Sequence, residues 1–534
     1  MKVLKGIAMY TLIAIGAVLC IGILLMGFMF LIPSFKLFGY GFVYNVKDTV
    51  VQNTIIHNID TEYQTENINL NVEVTEGIGV RIESDDSDTA GSIVATVYSN
   101  YYGFYKGNRK LTVHAAKTSY DSSSKTYNYS VSVEGVQGAI NYSDKCAIVV
   151  KVPRKQLTNE GHAQSENIKY NIIVESERGD IAIKGSQVDN NFLGAINVGG
   201  LNLTTTKGDL SLSGVGTVAS GNEKPTSMVL NNLNISTKSG KFDFTSIPTT
   251  VYDSLALSGE KADFLFDNLD VQGKLEIAGD NILFSAKNLT TTDNVSYQSL
   301  NGAFRVNEVL NATGQVSVIS ENAQVTVGTA QSGELGVKTD YGNITIGTSQ
   351  VTTYLHGGHG NVVVDKCEEG LEIHTTYGDI TAKDYSKSAV FSTNRGKVIA
   401  NSTYAGDNVA ELVTRVRLNG KAQLDLTTSK VPFDVTSTDN CTVNITVKDV
   451  VTGSALYTSD YVSKVNLAKG TLNVNMINTK PLIIKATGVI ISGSAWANPS
   501  SLESGHTYRV LDATEDLYYS SFDFVAPKIN LRSL

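Results

Sequence analysis

Four residues stand at a constant step of 18 positions: Tyr341, His359, Tyr377 and Arg395, each immediately before a glycine. If equivalent positions come into register, two phenols, an imidazole and a guanidinium form one column. Such a column could stack on sugar rings or hold an anionic polymer, with cation–π support between neighbours. It could equally cover a solvated corner, the commoner outcome for exposed side chains of these types. His356 and His374 also occupy equivalent positions one repeat apart, with His359 across the turn. A zinc site needs three or four ligands in fixed geometry, so paired surface histidines are the plainer reading and no metal is expected. Asp340, Asp365, Glu368, Glu369, Glu372 and Asp379 are the raw material for glycoside cleavage, which works with paired carboxylates. Their scatter is that of any acidic surface. The chain has no P-loop, no Gly-x-Ser-x-Gly, no His-Glu-x-x-His and no calcium-binding nonapeptide. No catalytic residue and no cofactor is expected.

The column exists only if the chain coils. Tyr341-Gly342-Asn343-Ile344, His359-Gly360-Asn361-Val362, Tyr377-Gly378-Asp379-Ile380 and Arg395-Gly396-Lys397-Val398 each follow an alternating segment, such as LGVKT from Leu335, and precede another, such as ITA from Ile380. Alternation with period two marks a half-buried strand, and Gly before Asn, Asp or Lys marks a turn. Degenerate copies lie upstream around Gly179-Asp180 and Gly208-Asp209, and variants without the glycine run from Leu255 and Val316. So short a unit cannot bury its apolar edge alone. Stacking equivalent strands side by side, about 4.8 Å apart, pairs each backbone with the coils on either side. Leu335, Val337, Ile344 and Ile346 then lie in one column with Leu355, Val362 and Val364, and with Leu371, Ile373, Ile380 and Ala382. The expected fold is all-β, a single-chain parallel β-solenoid with coils of about 18–20 residues, in which corner glycines tolerate φ > 0 and an adjacent Asn or Asp bonds its own backbone. A dozen such coils would extend roughly 60 Å. Two β-sandwiches would explain the strands but not a fixed step over four units.

Residues 6–33 contain no charge and are long enough to cross a bilayer. Lys2 and Lys5 precede them, which favours a cytoplasmic N-terminus in a single-pass cell-membrane protein with its bulk outside. The apolar run is longer than that of a cleaved signal, and Leu19 before Cys20 argues against a lipid-modified cysteine. Cys20, Cys146, Cys367 and Cys441 fit neither a zinc motif nor a disulfide framework. A net charge of −9 without a basic face argues against a nucleic-acid partner. Four segments are expected: a cytoplasmic tip and anchor over 1–44, a Tyr-rich capping region with an opening coil over 45–160, the solenoid over 161–491, and a closing cap over 492–534 with Trp496, Tyr518, Tyr519, Phe522 and Phe524. Caps are needed because an open sheet edge templates aggregation.

Gly179-Asp180-Ile181, Gly208-Asp209-Leu210, Gly342-Asn343-Ile344 and Gly378-Asp379-Ile380, together with a KVP segment ending at Pro153 and an N-terminal helix, make the chain resemble the bacterial putative-adhesin family, a domain family of unknown function with GD or GN coils. The resemblance implies a surface interaction role, by adhesion or as an accessory to envelope-stress signalling, and no chemistry. The remaining alternative is a polysaccharide-cleaving enzyme on the same scaffold. Candidate partners are the membrane, a surface glycan, a cell-wall polymer or another protein.

Overall fold

A computed structural model of the chain describes residues 2–32, 35–47, 49–56, 67–74, 77–84, 92–108, 110–152, 155–157, 163–188, 191–194, 196–218, 225–406, 409, 411–451, 462–492, 503–510 and 520–534. The chain divides into two units, Met1–Thr249 and Thr250–Leu534. Trp496, Tyr518 and Tyr519 of the expected closing cap lie outside the described residues.

The second unit contains the regular coils. Strands Glu334–Thr339, Thr352–Gly357, Leu371–Thr375 and Ala389–Thr393 pair in parallel as one face. Strands Ile344–Ser349, Val362–Cys367, Ile380–Tyr385 and Lys397–Ser402 form a second. Ile344, Val362, Ile380 and Val398 are direct register partners, and all four are fully buried. The apolar columns inferred from the repeat are therefore present, and water is excluded only because each coil covers the next.

The corner explains the Gly-Asn and Gly-Asp motif differently from the expectation. Gly342, Gly360, Gly378 and Gly396 do not have positive φ. Instead, a Cβ on Gly360 would sit 1.9 Å from the carbonyl oxygen of Gly342, and one on Gly378 would sit 1.9 Å from that of Gly360. Glycine is required because successive corners touch backbone to backbone. Nor does the following Asn or Asp bond its own turn. The Asn361 amide donates to Asn343 Oδ1 (2.9 Å), the Asp379 amide to Asn361 Oδ1 (2.9 Å), and the Lys397 amide to Asp379 Oδ1 (2.7 Å). Each such side chain thus satisfies the corner N–H of the next coil, a donor that no strand ladder would reach. Asp180 and Asp209 do the same in the first unit, for the amides of Asp209 and Lys241. Gly179 (φ +128°) and Gly302 (φ +115°) combine close approach to a neighbouring coil's backbone with a left-handed conformation.

Between residues 255 and 312 the coil is built without that motif. Strands Leu255–Val271, Leu275–Thr291 and Val295–Ala312 wrap the corner as continuous strands in register. Gly259 pairs with Gly279, and Phe264, Phe284 and Phe304 form a fully buried column, the last two stacked at 5.5 Å. A second ladder runs through the later coils: Asn530 donates to Asn473, Asn473 to Asn444 and Asn444 to Asp425. The final strand, Ser521–Ser533, carries Phe522 and Phe524 and pairs in parallel with both Val462–Met476 and Leu482–Ser492, so it lies between two strands that precede it. Thr507–Val510 runs antiparallel along Leu482–Ser492.

In the first unit, Thr126–Glu134, Asn67–Val74, Lys169–Arg178, Asn197–Lys207 and Asn232–Phe244 are parallel neighbours in that order. The coil from Ile68 is not outermost: Tyr127, Tyr129, Val131 and Val133 point inward beside Ile68, Leu70, Val72 and Val74. Antiparallel strands lie outside it, Thr112–Asp121 on Thr126–Glu134 and Ser92–Tyr98 on Ala147–Val152. They interrupt the parallel pattern there, which blunts the edge as a template for further strands. The helix Lys2–Leu31 precedes all of this, with its apolar span Gly6–Leu31 almost wholly exposed.

Candidate functional site

The column at the corner forms as the spacing requires. The rings of Tyr341 and His359 are stacked with centroids 4.7 Å apart and 12° between planes, and His359 and Tyr377 are stacked at 4.7 Å and 21°. The Arg395 guanidinium lies 5.4 Å from the Tyr377 ring centre. Backbone bonds fix the spacing: the amides of Tyr341, His359, Tyr377 and Arg395 donate to the carbonyls of Glu321, Asp340, Gly358 and Thr376, each in the preceding coil. Below them, the amides of Gly342 and Gly396 donate to Thr339 Oγ1 (3.1 Å) and Thr393 Oγ1 (3.0 Å), while Thr375 Oγ1 donates to the Gly378 carbonyl (2.8 Å). Small hydroxyls at the end of each strand thus hold the corners on which the rings sit.

This stacking changes what the column can offer. Faces that cover one another are not free to lie on a sugar. What points outward is a row of edges, with phenol, imidazole, phenol and guanidinium groups repeating at the coil spacing. Such a row suits hydrogen bonding to a polymer with regularly spaced hydroxyl or acidic groups.

Beside the column is a groove that repeat-spacing arguments alone do not reveal. It encloses about 290 Å³ and is lined by Ile319, Gly336, Lys338, Tyr354, His356 and His374, among others. Its floor is low because Gly336 has no side chain, although a Cβ there would meet nothing nearer than the Val316 carbonyl oxygen at 3.6 Å. Tyr354 and Ile319 supply exposed apolar surface to its walls. The signal in the sequence is modest: a glycine at an outward strand position, Gly336, where the next two coils carry Tyr354 and Glu372.

His356 and His374 are register partners, with ring centroids 6.5 Å apart. His374 Nε2 lies 2.5 Å from Glu372 Oε1, a geometry in which the carboxylate accepts. Burial, followed by the positive charge of Lys338 and by His374, lowers the His356 pKa below its ordinary value, with Asp340 acting in the opposite sense. His359 belongs to the column instead of this pair. Among the described residues no group of three or more His, Cys, Asp or Glu side chains is placed to hold a metal ion.

The carboxylates raised as catalytic material are not gathered in this groove. Asp365 pairs with Lys383 (2.6 Å), Glu368 with Lys366 (2.7 Å), and Asp379 caps the Lys397 corner. Only Glu372 lines the groove. Cys146, Cys367 and Cys441 are free and buried, and burial raises the Cys146 and Cys367 thiols, which suits packing more than reactivity.

Residues 56–292 match the Toastrack DUF4097 family model, so the family resemblance drawn from the GD turns stands over that segment. The match ends before the column. A solved structure of a putative cell adhesion protein from Clostridium sporogenes aligns with 92% of this chain and 100% of that one, at 8% identity and a TM-score of 0.14, a likeness too slight to carry an argument. No curated protein matches the chain.

Proposed function

We propose that the chain is a membrane-anchored, non-catalytic binding protein that presents the Tyr341–Arg395 column to an extracellular glycan. The helix over Gly6–Leu31 crosses the membrane once, with Lys2 and Lys5 on the cytoplasmic side and the solenoid outside. A polysaccharide lies along the column, its hydroxyls meeting the phenol and imidazole edges and an acidic group meeting Arg395. The Tyr354 groove takes one ring face, since aromatic side chains supply large contact area at small entropic cost.

The observation that carries this reading is the register of the column, three rings at equal 4.7 Å steps ending in a cation. Regular spacing of like groups matches a regular polymer better than a single small molecule. The dispersal of the carboxylates into local pairs speaks for binding over cleavage. A glycan array probed with the full chain tests the reading. Binding to a polymeric glycan that is lost in the Tyr341→Ala, Tyr377→Ala double variant supports it. If the double variant binds every glycan as the parent does, the column is scaffold only.

A further inference from the structure

The first unit carries a small sheet that the solenoid does not need. Lys36–Leu37, Tyr40–Val46, Tyr101–Lys106 and Gly138–Tyr142 form it, antiparallel throughout. Its two faces are chemically distinct, because side chains alternate along a strand. Gly41, Val43, Tyr101, Gly103 and Tyr105 are buried. The other face carries Tyr40, Phe42 and Tyr44 from one strand and Tyr102, Phe104 and Lys106 from the next, with Phe42 opposite Phe104 and Tyr40 opposite Lys106.

The anchor helix leaves from that second face. Phe30, near the helix end, packs on Phe42 with ring centroids 4.3 Å apart and on Phe104 at 6.1 Å, and Phe42 packs on Phe104 at 5.0 Å. Tyr40, Tyr44 and Tyr102 lie exposed on the same face as this aromatic cluster, and the Lys106 ammonium lies 5.8 Å from the Tyr40 ring centre. A face from which a membrane helix emerges must look toward the membrane. Tyrosine and lysine are the side chains that partition to the headgroup layer.

The hairpin at its edge adds an independent observation. Phe38 and Gly39 form the two-residue turn between Leu37 and Tyr40, with φ of +52° and +84°. Both central positions of such a turn favour Asn, Asp or Gly. Here the first is phenylalanine, in the left-handed region and 92% exposed. In water this residue carries both backbone strain and an exposed ring. Both costs are offset if the ring enters lipid. The lengths agree: Gly6–Leu31 is 26 residues, about 39 Å of helix at ~1.5 Å per residue, against a hydrocarbon core of about 30 Å. The last turns, with Phe28 and Phe30, therefore reach the interface, and the sheet with them.

The geometry points to a membrane-seated platform: the face bearing Tyr40, Tyr44 and Tyr102 rests in the headgroup layer, and Phe38 inserts into the acyl boundary of a phospholipid bilayer. It rests on the anchor reading given above. Its consequence is that the sheet sits on the bilayer surface instead of swinging from a flexible stalk.

Tryptophan placed at chosen sites reports depth. The full chain carries one tryptophan, Trp496, so Trp496→Phe is the background, and the protein is held in phosphatidylcholine–phosphatidylglycerol nanodiscs. Phe38→Trp is expected to lose most of its emission to acyl-brominated lipid and to resist aqueous iodide. Val18→Trp, in the middle of the helix, is expected to behave likewise. Tyr252→Trp, in the second unit, is expected to be quenched by iodide and untouched by bromine. If Val18→Trp is quenched by bromine while Phe38→Trp follows Tyr252→Trp, the platform is refuted and the anchor stands. If neither Val18→Trp nor Phe38→Trp responds to bromine, the anchor reading fails and takes the platform with it.

Discussion

Replacing Gly378 by alanine separates the close-approach account of the corner from the left-handed-backbone account. The added Cβ would lie 1.9 Å from the Gly360 carbonyl oxygen and 2.7 Å from its carbon, both backbone atoms that no rotamer change can move. Ordinary contact begins at 3.4 Å, so the two coils must part locally by about 1.5 Å. That movement strains the Tyr377 amide bond to the Gly358 carbonyl and the Asp379 amide bond to Asn361, both 2.9 Å. Overpacking costs about 1–3 kcal/mol, and each weakened hydrogen bond adds about 1 kcal/mol, so a loss of about 3–5 kcal/mol is expected. At ~2–3 °C per kcal/mol for a unit of this size, the melting temperature falls by roughly 6–15 °C. Gly336→Ala is the control: it too lacks a positive φ, but it sits at an outward position within strand Glu334–Thr339 and its Cβ has 3.6 Å of room. Its expected change is within about 0.5 kcal/mol. Differential scanning calorimetry of both variants gives the comparison. Equal melting temperatures for the two would refute the claim that coil-to-coil contact selects glycine at the corner.

Two further outcomes follow from the same geometry. Asn473→Leu removes an acceptor from Asn530 and a donor from Asn444. It should lower the urea midpoint by an amount equal to about 1–2 kcal/mol with an unchanged m-value, and an unchanged midpoint would contradict a structural role for the ladder. His356 titrates below its ordinary pKa of 6.5 in the folded chain, so above pH 6.5 neither state holds the proton and stability is flat. As pH falls below 6.5 the unfolded chain takes up a proton that the folded one resists, and stability declines. Chemical denaturation across that range should show a shallower decline in His356→Asn; an identical profile would mean that His356 is as free to protonate as in the unfolded chain.

Much of the scaffold could be read from residue spacing, and the reasons for the exceptions are physical. The step from Tyr341 to Arg395 fixed the register of Ile344, Val362, Ile380 and Val398, because a period common to turn and strand leaves one way to stack. The same pattern located the column itself. It did not reveal that the rings stack on one another, since a linear spacing carries no information on ring orientation. The spacing marks Gly342 and Gly378 as corner residues without giving the reason for glycine: one required by close approach and one required by φ look identical in a single repeat. The coils through Phe264 and Phe284 show no turn glycine at the corner because Gly259 and Gly279 sit earlier in the strand and the backbone bends without a break. The groove depends on Gly336 and Tyr354 meeting across coils, a juxtaposition that alternation alone does not mark. The strand around Tyr102 reads as a cap edge and Tyr40 as part of the anchor segment, because alternation shows the two faces of a strand without naming the strand it pairs with.

Hydroxyl-radical footprinting of the full chain in nanodiscs, with and without a bound polymeric glycan, locates the contact side chain by side chain. Protection centred on Tyr341, His359 and Tyr377, with Tyr252 reacting equally in both samples, is the predicted result. Undiminished oxidation of those three residues in the glycan complex would contradict the assignment of the column as the binding face.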